Sequence, residues 1–382
     1  MGTITRGLAN SVTTGGKVVS TSLSGTVAAS NVNNESLDSV TAFSSSLGDF
    51  VETRASDLSA SPTTRGQMFY NSTDGVLKGV RLGTAAWASG GNLINATRGG
   101  AGIGTRDAAI AAGGITGTVN PAGPGRPGHS EEYNGTSWSN LPTIGRSPTD
   151  SAFIMGGCGT STAGIIAGGM PGGEGQVANT DEWNGSAWSA GGAMNDARQS
   201  PELSGVQTAA FVCGGRDDPG PVKNTSEIYN GSSWTTSTSM SNARYYHAQG
   251  GTTTATWVAG GSPPGETSAT EEWNGSSWTS GGALNTATYG AGMGGPQTSA
   301  IVAAGGSPYK NVTQLYDGST WSTSENVASA RRNVFGSPNV ADNTTAMIAG
   351  GTPAPANVQS TEEFTGATQT LKTITTATNR LT

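Results

Sequence analysis

Glu271-Glu272-Trp273-Asn274-Gly275-Ser276-Ser277-Trp278 places acids, aromatics and a glycosylation sequon in one short stretch, and is the first candidate for chemistry. The stretch is not unique. Glu131-Glu132-Tyr133-Asn134-Gly135-Thr136-Ser137-Trp138 and Asp181-Glu182-Trp183-Asn184-Gly185-Ser186-Ala187-Trp188 repeat it, further copies end at Trp234 and Trp321, and a decayed one begins at Glu362-Glu363-Phe364. Each reads aromatic, tight turn, aromatic. Asn-Gly accepts positive φ at both central positions, so it closes a hairpin whose twist matches its strands. The sequons at Asn134, Asn184, Asn230 and Asn274 all fall on such turns. They are read as turn chemistry and not as glycan acceptors.

Other reactive side chains are few. Cys158 and Cys213 are the only cysteines and His129 and His247 the only histidines. Two cysteines make no disulfide framework, and neither has metal-ligand spacing around it, so no metal or cofactor is expected. No Ser-His-Asp order, phosphate loop or paired-carboxylate constellation stands out, and no enzyme is read.

Charge is more telling. Arg98, Arg146, Arg198, Arg244 and Arg331 each precede the first strand of a repeat, and the same repeats carry Glu131, Asp181, Glu227, Glu271 and Glu362 before the first hairpin aromatic. The remaining repeat has Thr288 and Gln314 there, having lost both charges together. Stranding one buried charge costs several kcal/mol, whereas removing both is close to neutral. An Arg–carboxylate pair inside each of the other five blades is therefore expected.

Composition narrows the class. The chain has 382 residues, 60 of them Gly, with only 12% charged, a mixture that suggests disorder unless it is periodic. Nine evenly placed Trp argue for order. A net charge of −7 without a Lys/Arg run gives nucleic acid or an acidic membrane no footprint. No apolar run follows Met1, so no signal peptide is expected, and no stretch approaches a membrane span. A protein made in the host cytoplasm, yet composed like an exposed surface protein, fits a virion component released by lysis.

The N-terminal part of the chain differs in character from the repeats. Residues 1–34 read as an extended arm that orders against a partner. Leu37, Val40, Phe43, Leu47, Phe50 and Val51 fall at three- and four-residue steps, predicting one short amphipathic helix from Asn33-Asn34-Glu35 to near Thr53. It either packs on its own domain or docks and oligomerises. Residues 54–66 read as a linker, so 1–66 forms an attachment region. Gln67–Lys78 is strand, Asp-Gly turn, strand, and resembles short β modules of bacteriophage fibre and virion proteins. Residues 67–87 are thus a hairpin leading into, or closing, the repeat region. Within that region, small-polar stretches, a Gly/Ala strand, an apolar strand and a Gly pair precede each hairpin. The pairs Gly113-Gly114, Gly168-Gly169, Gly214-Gly215, Gly260-Gly261, Gly305-Gly306 and Gly350-Gly351 recur at the spacing of propeller blades.

The order apolar run, Gly-Gly, loop, acid, aromatic, turn, Trp resembles the kelch repeat. It implies an all-β, six-bladed kelch-like β-propeller over residues 88–382, preceded by the arm and helix. Its last blade is closed either by Leu371-Lys372-Thr373-Ile374 or by residues 80–87, and a seventh partial blade is a further alternative. Kelch propellers include copper radical oxidases, which need two His, two Tyr and a Cys. Here His129, His247, Tyr245-Tyr246 and Cys213 would have to gather from three blades. Asp317-Gly318-Ser319-Thr320-Trp321 resembles the Asp-box of sialidase propellers, itself a structural hairpin.

Variable Pro/Gly-rich loops after the Gly pairs should gather on one face, where repeat scaffolds place specificity. Arg126, His129, Asp217, Asp218, Lys223, Tyr309 and Lys310 are the candidate ligand contacts. The resulting reading is a phage tail fibre or surface appendage in the virion. It is anchored to other virion proteins through residues 1–66 and recognises a host surface glycan or protein receptor. The fibre resemblance implies a homotrimer, which the repeats do not show. An architectural decorating, neck or tail protein without a ligand, and a carbohydrate-active enzyme, are the competing readings.

Overall fold

The computed structural model describes residues 52–58, 67–116, 128–145, 153–170, 175–217, 219–262, 265–353, 356–367 and 369–374. Among them there is no helix. The expected arm and amphipathic helix lie outside the described residues, apart from the end of the helix, where Glu52–Arg54 is a strand. The chain divides into two compact units, one of them Ala85–Gly366.

The smaller unit is built on the Asp-Gly hairpin. Met68–Asn71 runs antiparallel to Val76–Leu82, with Asn71 opposite Val76. The turn is held by Asn71, whose Oδ1 accepts the N–H groups of Thr73 and Asp74 at 2.9 and 3.0 Å, and Gly75 supplies the positive φ of 70°. Glu52–Arg54 pairs in parallel on one side and Gln369–Ile374 antiparallel on the other. Leu58, Phe69 and Val80 form its core, with Leu371 packed against them. Lys78 Nζ joins Asp57 and Asp74 at 2.6 and 2.5 Å. The segment containing Leu371–Ile374, one of the two candidates for closing the propeller, thus belongs to this sheet. The propeller unit accordingly spans Ala85–Gly366 where 88–382 was expected.

The larger unit is a six-bladed β-propeller. Blade 1 comprises Ala101–Thr105, Ala108–Ala112, Ser130–Tyr133 and Trp138–Leu141. Blades 2 to 5 repeat this four-stranded antiparallel order, their first strands being Gly156–Thr160, Glu202–Val206, Ala248–Thr252 and Gly292–Gly294. Blade 6 has Thr345–Ala349 and Thr361–Thr365, with Phe335 bridged to Ala349 at the innermost position. Its outer strand is Ala86–Ser89, with Trp87 opposite Phe364. Closure is therefore N-terminal, from the segment adjoining residue 85. First strands of successive blades pack together, and there is little room between them. A Cβ on Gly102 would lie 2.1 Å from the Gly336 carbonyl oxygen, which explains why glycine occupies the crowded inner strands.

Farther out, the tryptophans fill the wider wedges and find acceptors across blade boundaries. Trp138 Nε1 donates to Thr361 Oγ1, Trp234 to Thr180 and Trp321 to Thr270, at 2.9, 2.9 and 3.1 Å. The hairpin tyrosines cross the same boundaries. Tyr229 donates its hydroxyl to Glu182 at 2.6 Å and Tyr316 to Glu272 at 2.5 Å, while Tyr133 reaches Glu363. Odd blades supply the tyrosine and even blades the carboxylate, so this bond crosses every second blade boundary, while Trp87, Trp188 and Trp278 reach Thr313, Ser130 and the Thr238 carbonyl across the others.

This arrangement has an alkaline signature. Burial, and then the neighbouring carboxylate, push Tyr133 and Tyr229 up to about 12, and Tyr316 moves the same way. A phenol whose folded value lies above its unfolded one contributes stability in full below the unfolded value, near 10. That contribution fades as pH rises toward 12. Thermal melts should fall steeply between about pH 10 and 12. Tyr229→Phe combined with Tyr316→Phe should flatten that fall, and an unchanged slope would refute the assignment.

Candidate functional site

Each blade is entered through a buried apolar anchor: Leu93, Ile144, Met194, Met240, Leu284 or Val327. In blades 1, 3 and 4 the next two N–H groups meet the first hairpin acid, and in blade 6 Ala328 N–H does so alone. Ser241 and Asn242 donate to Glu271 at 2.8 and 3.3 Å, and Asn195 and Asp196 to Glu227 at 2.8 and 3.1 Å. Four residues after the anchor stands the arginine. Arg198 Nη2 lies 2.9 Å from Glu227, Arg244 Nη2 2.6 Å from Glu271 and Arg331 Nη1 2.5 Å from Glu362. All six side chains are essentially buried. Nη1 of Arg198 also donates to the carbonyls of Gly214 and Thr225, and Nη1 of Arg244 to those of Gly260 and Ala269, tying the Gly pair to the blade edge.

The fifth repeat has a neutral version. Gln314 Oε1 accepts from Thr286 N–H at 2.9 Å, its Nε2 returns a bond to Thr286 O at 3.0 Å, and Thr288 Oγ1 donates to Ala304 O at 3.1 Å. Blade 1 departs from expectation. Glu131 accepts from the N–H groups of Ile94 and Asn95 at 2.7 and 3.0 Å, but Thr97 holds the arginine's place, four residues after Leu93. Arg98 is one residue too late and forms no bridge to Glu131. Arg146 falls two residues after Ile144 and lies outside the described residues, while its expected partner Asp181 is buried.

Beyond the arginine position the backbone forms a ring around the axis. Gly99, Ile154, Ser200, Tyr246, Gly290 and Asn333 all have φ between 48° and 65°. Each donates its N–H to the carbonyl of its counterpart in the preceding blade: Gly99 to Asn333, Ile154 to Gly99, Ser200 to Ile154, Tyr246 to Ser200, Gly290 to Tyr246 and Asn333 to Gly290. The chain of bonds closes on itself. Left-handed backbone at a β-branched residue such as Ile154 costs on the order of 1–3 kcal/mol, and the ring is what holds it there.

On this face, over blades 3 to 6, lies a cavity of about 420 Å³. Its wall includes Arg216, Tyr245, Tyr246, Glu266, Tyr289 and Arg332. The position five residues after the anchor supplies Tyr245, Tyr289 and Arg332, and Arg98 is its counterpart in blade 1. Arg216 packs over the Tyr245 ring at 4.9 Å. Arg332 packs over Tyr289 and Tyr309, each at 5.3 Å, and donates from Nη1 to the Tyr289 hydroxyl. Glu266 is engaged by Lys310 and by the Ser307 N–H. A few hundred Å³, aromatic walls and a handful of polar groups are the usual make-up of a small-molecule site.

The loop candidates divide. Tyr309 and Lys310 adjoin the cavity through Arg332 and Glu266. Asp217 and Lys223 join each other at 2.8 Å, and Asp217 also accepts from Gln176 at 2.6 Å, an arrangement that shapes a loop. His129 Nε2 lies 3.3 Å from Thr97 Oγ1 in blade 1, apart from the cavity. Arg126 and Asp218 lie outside the described residues. Cys213 and His247 are buried together, with Cys213 Sγ 2.9 Å from Gln249 Oε1 and His247 Nε2 3.7 Å from the sulfur. Burial pushes the thiol well up and lowers His247 to about 3, so both stay neutral. Among the described residues no cluster of His, Cys, Asp and Glu has the make-up of a metal site.

The fold is shared with known structures. That of YjhT superimposes with a TM-score of 0.57 at 13% identity, covering 70% of this chain and 95% of that one. What is shared is the propeller. No family model matches the chain, and no curated protein matches it in sequence.

Proposed function

We propose that this chain is a bacteriophage virion appendage whose kelch-like propeller binds a host-surface glycan or protein at the cavity between Arg216 and Arg332. The single observation that carries the binding half is the gathering of Tyr245, Tyr246, Tyr289 and two arginines around one cavity on the connecting-loop face. The virion half rests on the fibre-like hairpin at Gln67–Lys78, with residues 1–66 as the region that docks onto other virion proteins and trimerises. The reading is one of binding and not catalysis, because the reactive pair Cys213 and His247 is buried and neutral away from the cavity wall.

The full chain should bind host cells saturably, and Tyr289→Ala should weaken that binding by roughly tenfold, the scale of one aromatic contact. Equal binding by wild type and Tyr289→Ala would remove the cavity from the function and favour a decorating role.

A further inference from the structure

We infer that the four Asn-Gly turns are ageing sites graded by how firmly each carboxamide is held, Asn134 converting to aspartate and isoaspartate first and Asn274 last. This is independent of the binding reading, because the hairpin turns close the ends of the blades opposite the loops that follow the Gly pairs. The reaction needs only water. The glycine main-chain nitrogen attacks the asparagine Cγ and gives up its proton, the side-chain nitrogen leaves as ammonia, and water then opens the cyclic imide at either carbonyl. Opening on one side gives aspartate. Opening on the other gives isoaspartate, whose main chain runs through the former side chain. Glycine in second place leaves the attacking nitrogen unhindered, and Asn134, Asn184, Asn230 and Asn274 are all exposed to solvent.

What differs is the grip on the carboxamide. Asn134 Oδ1 accepts the N–H groups of Thr136 and Ser137, each at 3.0 Å, and among the described residues no hydroxyl joins them. The equivalent of Thr136 is serine in the other turns, and the restricted χ1 of a β-branched residue accounts for the difference. Asn184 gains Ser186 Oγ at 2.9 Å, and Asn230 gains Ser232 and Ser233 Oγ at 3.0 and 3.5 Å. Asn274 Oδ1 accepts from Ser276 and Ser277 Oγ at 2.9 and 3.4 Å, while its Nδ2 donates to Ser277 Oγ at 3.2 Å, so the leaving nitrogen is held as well. Turning Cγ toward the glycine nitrogen breaks these bonds, and each extra one slows conversion by roughly fivefold, the kinetic scale of a net hydrogen bond. The two products differ in fit. Blade 5 already carries the aspartate: Asp317 Oδ1 accepts from Thr320 and Ser319 N–H at 2.7 and 2.9 Å, and these donors hold its carboxyl down at about 2. Isoaspartate instead lengthens the main chain by a methylene and removes the acceptor.

The test is to incubate the full chain at mildly alkaline pH, digest it at intervals and map the products by mass spectrometry, with isoaspartate counted by enzymatic methylation. Asn134 should convert at least about tenfold faster than Asn274, with Asn184 and Asn230 between them. Ser276→Ala combined with Ser277→Ala should bring Asn274 to the rate of Asn134. Thr136→Ser should slow Asn134 several-fold by supplying the missing hydroxyl. In the denatured chain the spread among the four should collapse. Equal rates in the folded chain, an order led by Asn274, or no response to the serine substitutions would each overturn the inference. So would a spread that survives denaturation, because flanking sequence alone would then set the rates. Asn134→Asp should keep the wild-type unfolding midpoint, and a lower one would refute the likeness to Asp317.

Discussion

Glu271→Gln should destabilise the propeller by about 3–5 kcal/mol, and Arg244→Thr by a similar amount, whereas the double variant should recover most of the loss. Both groups are almost wholly buried, 2.6 Å apart, so removing one leaves the other charged in a medium that solvates it poorly. Their surroundings make the asymmetry sharper. Glu271 keeps its backbone donors Ser241 and Asn242 in Arg244→Thr, but loses its countercharge. In Glu271→Gln, Arg244 keeps the carbonyls of Gly260 and Ala269 and has no anion. The double variant reproduces the fifth blade, where Thr288 and Gln314 hold the same connections without charge. A denaturant-unfolding cycle on the full chain reads the coupling directly. Additive losses would mean that the pair is not a unit, and the reading of its joint disappearance from blade 5 would fail.

The blades were legible in the sequence because their chemistry is local: an Asn-Gly turn needs no distant partner to declare itself. The ion pairs were legible for a different reason, since one repeat had lost both members together. Arg98 shows the limit of that reasoning. It stands one residue later than Arg198 relative to the buried anchor, and only counting from Leu93 reveals that Thr97 is the equivalent position. The same count would have drawn attention to the next residue, where Tyr245, Tyr289, Arg332 and Arg98 replace one another. That variability inside a constant frame is what the proposed binding role draws on. Their convergence on one cavity depends on blade order and on the ring from Gly99 to Asn333, which no single repeat contains.

Trp87→Ala should have the other large effect, a loss of about 2–4 kcal/mol, because this residue holds the ring closed. Trp87 lies opposite Phe364 with ring centroids 5.2 Å apart, and its Nε1 is 2.9 Å from Thr313 Oγ1 and 3.0 Å from the Glu325 carbonyl oxygen. It therefore ties the strand Ala86–Ser89 both to blade 6 and to blade 5. Closure decides more than one contact. Without that strand the edge of Thr361–Thr365 is unpaired, and an exposed edge is a template for pairing with another chain. Trp87→Phe keeps the ring and loses the donor, so it should cost roughly 1 kcal/mol, the net worth of a hydrogen bond. Both variants are read by denaturant unfolding alongside light scattering. Aggregation during unfolding of Trp87→Ala, absent in Trp87→Phe, is the expected result. A Trp87→Ala protein as stable as wild type would mean that the blades hold together without the closing strand.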